Sequence, residues 1–325
     1  MSPKNSAESE FALLKCKGEE IRPEHLPPSL QPGLARPADA IRRRRKLKAS
    51  EVAQAIREQF LPDAAGGAVP VTIPGAYLAT AEKADNIVAA FACGEPPSGS
   101  KDPYGLRRAA AGMVAIAMEH GLRYDVEKLL DRAYDELERF PGLVERASVT
   151  SEATAFVLER LAKTLTDEGL ARDTVDAVLP TSRDFLDLRV RAQALHEYRA
   201  GAGWEDLVTV FSRPSNLAKK LPADAAAAPS ATDGGVSAAL FQVDAEATLF
   251  KAWQEATGKV APAIAAQKYG DALAALAALR PAVDAYFDAV LVMAEAEAVR
   301  LNRLRQLAAI AATVRRVAWL ELVQG

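Results

Sequence analysis

The chain has 325 residues, half of them hydrophobic and 26% charged, a balance that supports packed cores and excludes a wholly disordered polymer. Forty Lys and Arg against 43 Asp and Glu leave a formal charge of −3, which excludes a global pull toward nucleic acid or an anionic membrane, so any phosphate must be held by a local patch. Two cysteines, Cys16 and Cys93, exclude a disulfide framework, and the scattered His25, His120 and His196 give no structural zinc site.

At roughly 100 to 200 residues per domain the length predicts two domains plus a tail. Residues 1–49 hold six of the 19 prolines and the basic run IRRRRKLK at 41–48, with no sustained apolar period, and are expected to form a disordered or loosely attached tail. MSPKNSAESE places no apolar stretch behind a basic start, so no secretory signal is expected. From Ser50 the texture changes. Val52, Ile56 and Phe60 recur every four residues and predict a short amphipathic helix.

After the Pro/Gly-rich PDAAGGAVPVTIPG, a helix is predicted over 76–92 on the face carrying Tyr77, Ala81, Ala84, Ile87, Val88 and Phe91. VPVTI at 69–73 is the one short window with strand character. In the loop CGEPPSGSKDP, Pro103 suits a first helical position and Asp102 can accept from the free amides of the next turn. A long helix then ends at Gly121. Further helices are predicted over about 125–140, 150–164, 170–179 and 183–200, and PADAAAAPSATDGG at 222–235 reads as a loop. Tyr286, Phe287, Val290 and Leu291 line a later stretch, and Leu301, Leu304, Ala308, Ile310, Ala311, Val314 and Ala318 give a 3.6-residue stripe in the last helix. The most apolar run, around Val290, is broken by Asp288, Glu295 and Glu297 short of the ~20 residues that span a bilayer. The fold class is therefore all-α, in two helical bundles, and the protein is expected to be cytoplasmic with no membrane partner.

Chemistry is hard to find in this pattern. Neither GxxxxGK[ST] nor GxGxxG stands after a predicted strand, so nucleotide binding by this chain has no support. His120 before Gly121 reads as a helix C-terminal residue favoured by the dipole, and Cys93 as a small packing residue. No catalytic residue and no metal ligand is assigned. Basic residues at special backbone positions remain. Lys101 lies in the Gly-rich loop, and Arg107 and Arg108 follow about one turn into the helix, where amides and cations can hold a phosphate. The same residues fit a plain cap by Asp102 with one arginine paired to it. On the last helix Arg300 and Arg303 are neighbours three apart, with Asn302 and Arg305 alongside, and form a polar ridge opposite the apolar stripe. A solvated face explains that ridge equally well.

The run AYLATAEKADNIVAAFACGEPPSGSKDPYGLRRAAAGMVAIAMEHGL resembles the signature region of the bacterial glycyl-tRNA synthetase β subunit. There a helix ending in A-[DE]-K-x-D leads into a G-x-x-P-x-G-[SD]-K-D-P-[FY]-x-L-R-R-A-A loop and helix, and the eleven positions from Ser100 to Ala110 carry most of the likeness. The similarity continues through RDFLDLRVRAQALHEYR, FSRPSNLAKK and the segment beginning YGDALAALAAL. It implies an HD-like helical domain over 50–180 and a DALR-type anticodon-binding domain over 181–325.

By resemblance, the β subunit recognises glycine tRNA and assembles, two with two, with a separate class II α subunit that uses ATP and Mg to make glycyl-adenylate. No cofactor is expected in this chain. The family's members are much longer, and their N-terminal half has no counterpart here; of an HD metal set only Asp85 remains. Arg300, Asn302, Arg303, Lys101, Arg107 and Arg108 are the implied tRNA-binding residues. A truncated or diverged paralogue acting as a helical scaffold without ligase function is the alternative.

Overall fold

The computed structural model describes residues 48–225 and 234–323. The predicted tail, with its arginine run, and most of the 222–235 loop lie outside the described residues. Among the described residues, helices and short 3-10 turns make up the regular structure, and the nearest approach to a sheet is an isolated bridge between Ser98 and Lys101. The all-α fold class stands. VPVTI forms no strand: α2 already begins at Ile73, because Thr72 Oγ1 accepts from Gly75 N at 3.0 Å and Pro74 suits the opening turn.

The chain divides into two units, Met1–Thr164 with Arg183–Leu186, and Leu165–Ser182 with Asp187–Gly325. The first contains α1 (Ala49–Glu58), α2 (Ile73–Ala92), α3 (Leu106–His120), α4 (Val126–Tyr134) and most of α5 (Arg146–Asp167). α2 is its hub, packed on α1, α3 and α4. Ile87, Leu106, Met113, Ile116 and Leu130 are almost fully buried around it, and truncating one of these leucines to alanine costs about 2–5 kcal/mol. α3 ends where Gly121 turns left-handed at φ +63° and gives its amide to Ala117 O.

The second unit holds α6 (Arg172–Val178), α7 (Phe185–Arg199, entering the unit at Asp187), α8 (Trp204–Ala218), α9 (Asp244–Ala265), α10 (Tyr269–Ala277), α11 (Arg280–Ala289) and α12 (Glu297–Arg315). α8 lies along α12, while α9 packs on α10, α11 and α12. The predicted stripe is present, with Leu304, Ile310, Ala311, Val314 and Ala318 buried. Asn302, Arg303, Gln306 and Thr313 are buried as well. α12 is enclosed on more than one flank, so its polar side chains also lie inside. Leu291, placed by sequence with the apolar stretch, is 76% exposed.

Candidate nucleic-acid interface

Two regions hold the basic residues singled out by sequence, one in each unit. In the first, the loop before α3 is built from its own polar atoms. Ser98 and Lys101 exchange backbone hydrogen bonds at 3.2 and 2.9 Å around Gly99. Asp102 Oδ1 accepts from Leu106 N at 2.8 Å and Oδ2 from Arg107 N at 3.0 Å, so the carboxylate caps α3 from four residues away. Pro103 therefore lies in the turn before the helix instead of at its first position, because Gly105, left-handed at φ +65°, sits between and serves as the cap residue.

The cations of this loop divide into two kinds. Arg107 Nη2 donates to Gly99 O at 2.7 Å and Nη1 to Lys101 O at 3.4 Å, so its guanidinium holds the loop shut over its own helix. Lys101 and Arg108 are exposed, and Arg108 lies back over Gly105, where an added Cβ would come within 2.8 Å of Nη2. Two first-turn amides, those of Leu106 and Arg107, are occupied by Asp102. What this loop offers an anion is the pair of projecting side chains.

Beneath it, Lys83 is a buried cation that sequence reasoning passed over. Its stem lies against Gly112 of α3, where an added Cβ would come within 2.7 Å of Lys83 Cε, and its ammonium has Glu82 at 3.7 Å. Burial pushes its pKa down, against the pull of Glu82, and the field of Arg108 adds to the fall. The available signal was a lysine inside an Ala-rich helical run, on the face that meets α3.

In the second unit the structure corrects the expected ridge. Arg303 is buried, with Nε 2.8 Å from Glu246 Oε1, Nη1 donating to Leu291 O at 2.8 Å and Nη2 to Gln242 Oε1 at 3.2 Å. Glu246 is fully buried and also accepts from the amides of Gln242 and Val243. Burial alone pushes its pKa up, but Arg303 and the two amides outweigh burial and hold it below the ordinary glutamate value. Asn302 clamps Ser237, accepting from its amide at 2.7 Å and donating to its carbonyl at 3.0 Å.

These two residues brace the segment before α9 and the turn after α11, and present nothing to solvent. Arg300 is half-buried and donates to the carbonyls of Ala294 and Glu295 at 3.1 and 3.3 Å. Arg305 donates to Ala225 O at 2.8 Å. The expectation failed because both flanks of α12 are covered: one by α8, the other by α9 and the 3-10 turn Ala238–Leu240.

Accessible cations of the second unit lie elsewhere. Arg213, Lys219 and Lys220 are exposed at the C-terminal end of α8, in FSRPSNLAKK. Arg213 stacks 4.4 Å over the Phe287 ring and lies 3.3 Å from Asp284, and Lys219 Nζ donates to Asn216 Oδ1 at 3.2 Å. Trp319 is 38% exposed, with the Arg315 guanidinium 5.7 Å from its ring. No group of three or more His, Cys, Asp or Glu that could hold a metal occurs among the described residues, and His120 Nε2 lies 2.6 Å from Pro70 O. Nor is any helix among the described residues long and apolar enough to cross a membrane.

The profile of the glycyl-tRNA synthetase beta subunit family matches residues 43–180, which include the whole of the capped loop and Lys83. A glycine–tRNA ligase beta subunit from Desulforudis audaxviator is 38% identical over 267 residues, 81% of this chain and 37% of that protein. The chain belongs to the glycyl-tRNA synthetase β-subunit family. The Ectopseudomonas mendocina β subunit is 39% identical over 265 residues and the Solidesulfovibrio magneticus one 36% over 276, covering 79% and 85% of this chain. Against these β subunits the chain spans 36–39% of their length.

Proposed function

We propose that this chain is the tRNA-handling helical part of a glycine–tRNA ligase β subunit. It positions glycine tRNA while a separate class II α subunit makes glycyl-adenylate from ATP and glycine and transfers the glycyl group. The observation that carries the reading is the 36–39% identity to proteins named glycine–tRNA ligase beta subunit over about four-fifths of the chain. A cytoplasmic setting, Mg with ATP on the α subunit and an assembly of two α with two β belong to the same proposal.

The chain's own part is positioning. Lys101 and Arg108 project from a loop that Asp102 and Arg107 make rigid, and a rigid mount lets two cations fix the register of a phosphate backbone at low entropic cost. In the second unit Arg213, Lys219 and Lys220 offer a further cationic end, and Trp319 an aromatic face for an unstacked base. No bond is made or broken by these groups.

Titration of glycine tRNA against the chain at increasing salt tests the reading. Binding that weakens with a log–log slope of about −0.7 for each neutralised phosphate is expected, and absence of binding at low salt refutes it. A scaffold without ligase function is the second reading, favoured by the burial of Asn302 and Arg303. It predicts no gain in glycine attachment when the chain is added to α subunit, tRNA and the rest of a β subunit.

A further inference from the structure

Two apolar stripes of the first unit face outward. On and just beyond α1, Val52, Ile56 and Phe60 are 38–44% exposed, while the helix turns Ala55 and Glu58 inward. Around the start of α2, Val71, Ile73 and Tyr77 are 48–83% exposed. The Glu58 carboxylate ties the second segment to the first, accepting from Thr72 Oγ1 at 2.6 Å and from Thr72 N at 3.2 Å, between Val71 and Ile73. A helix on a folded domain ordinarily buries its apolar stripe and shows its polar side to water. Here α1 is held by a carboxylate and shows its apolar side.

Cations border this face. Lys48 heads the stripe, four residues before Val52, and Arg57 follows Ile56; both are exposed. The acids of α1 are engaged within the fold, Glu58 by Thr72 and Glu51 by the Lys48 amide at 2.7 Å, and the first exposed carboxylate among the described residues, Asp63, lies beyond Phe60. In the sequence, residues 41–60 carry seven Lys and Arg against two Glu, in a chain whose formal charge is −3. The positive excess is local.

Aliphatic side chains bordered by cations fit one kind of surface best. RNA takes cations and aromatic faces but gives Val52, Ile56, Val71 and Ile73 nothing to bury against. The headgroup region of an anionic bilayer accepts both, with apolar side chains toward the acyl boundary and Lys or Arg among the phosphates. Tyr77 is of the residue type enriched at that depth.

We propose that this face rests on the surface of an anionic phospholipid bilayer, its six apolar side chains entering the headgroup–acyl boundary while Lys48 and Arg57 meet lipid phosphates. No described helix is long and apolar enough to cross the bilayer; the chain lies on it. This departs from the expectation of no membrane partner and does not depend on the β-subunit reading.

Co-sedimentation of the full chain with vesicles of about 30% phosphatidylserine in phosphatidylcholine tests the proposal, beside vesicles of phosphatidylcholine alone. Half of the chain is expected to sediment at on the order of 0.1–1 mM lipid, near what one myristoyl chain gives, with about tenfold weaker binding to phosphatidylcholine. Ile56→Glu and Phe60→Glu each lose about tenfold, and so does Lys48→Glu combined with Arg57→Glu. Leu291→Glu, at an exposed apolar site in the other unit, leaves binding unchanged. Thermal midpoints accompany each variant, and Ile56→Ser or Phe60→Ser replaces a Glu variant that unfolds.

Four results overturn the proposal. Two are no sedimentation with either vesicle and equal sedimentation with both. A third is phosphatidylserine binding that survives in Ile56→Glu and Phe60→Glu, which assigns it to the arginine run alone. The last is loss of glycine tRNA binding, with vesicle binding intact, when Lys48→Glu and Arg57→Glu are combined, which makes RNA the occupant.

Discussion

Arg303 Nε meets Glu246 Oε1 at 2.8 Å with the two side chains 5% and 0% exposed, so a cation of the last helix is committed to a carboxylate 57 residues earlier. Removing one partner leaves a buried charge with no counter-ion. Arg303→Ala is expected to destabilise the second unit by about 3–5 kcal/mol, whereas the double change Glu246→Leu with Arg303→Met recovers most of the loss. Urea denaturation midpoints check this, and a single mutant as stable as the parent goes against a buried pair.

Asn302 makes both of its bonds to one residue, Ser237. Asn302→Ala orphans a backbone amide and a carbonyl, a loss of about 1–3 kcal/mol. Amide hydrogen exchange at Ser237 is expected to accelerate while exchange within α10 stays slow. Unchanged exchange at Ser237 defeats the clamp.

Asp187 gives the second unit an acid-sensitive joint. It accepts from Tyr269 Oη, from Arg191 Nε at 2.8 Å and from Gln267 Nε2 at 2.9 Å. Burial raises its pKa, but the three donors outweigh burial and hold it down at about 2, from an ordinary 3.8. Since the folded value lies below the unfolded one, the stabilisation is present above about pH 4 and is lost as pH falls through about 2; the shift is worth about 2 kcal/mol. Asp187→Asn should flatten the fall of the urea midpoint across that window. An unaltered slope assigns the acid lability to other carboxylates.

For tRNA, the two kinds of loop cation separate cleanly. Lys101→Ala and Arg108→Ala are each expected to reduce the log–log salt slope of glycine tRNA binding by about 0.7 while leaving the thermal midpoint in place. Arg107→Ala loosens the loop through Gly99 O, so it weakens binding with little change of slope. Filter binding at several salt concentrations distinguishes them, and equal slopes for all four proteins exclude this loop from the interface.

Gly75 is held against Glu58, whose side chain leaves no room for a Cβ. Gly75→Ala must displace the carboxylate from Thr72 and costs about 1–3 kcal/mol. Calorimetric unfolding of the full chain reads the loss, and Gly99→Ser, at a position with open space but φ +51°, provides a control that tests backbone strain alone.

The helices were legible because apolar residues recur with the helical period: α12 follows its predicted stripe, and so does α2 from Ala81 to Phe91, although Tyr77 at its start is exposed. Asp102 as a cap was legible too, since Asp before a helix start has few other uses. The fate of the last helix was not. A sequence places Arg300, Asn302 and Arg303 on one strip of surface, but whether that strip meets water depends on what packs over it, and Glu246 and Ser237 are brought there by the tertiary fold. Likewise Val52, Ile56 and Phe60 announce an amphipathic helix without saying which side of it the rest of the chain occupies. In the loop before α3, spacing identified the residues, yet only the coordinates distinguish the arginine that holds the turn from the one that projects.

The long sequence separation of the Glu246–Arg303 pair carries a consequence for synthesis. As the chain leaves the ribosome, Glu246 emerges as an unmatched anion on a helix whose inner face is apolar, and stays so until α12 follows. The second unit therefore cannot close progressively from its N-terminal side; its locking step waits for nearly the last helix, and a nascent chain stalled before Arg303 holds α9 and α10 without the member that secures them.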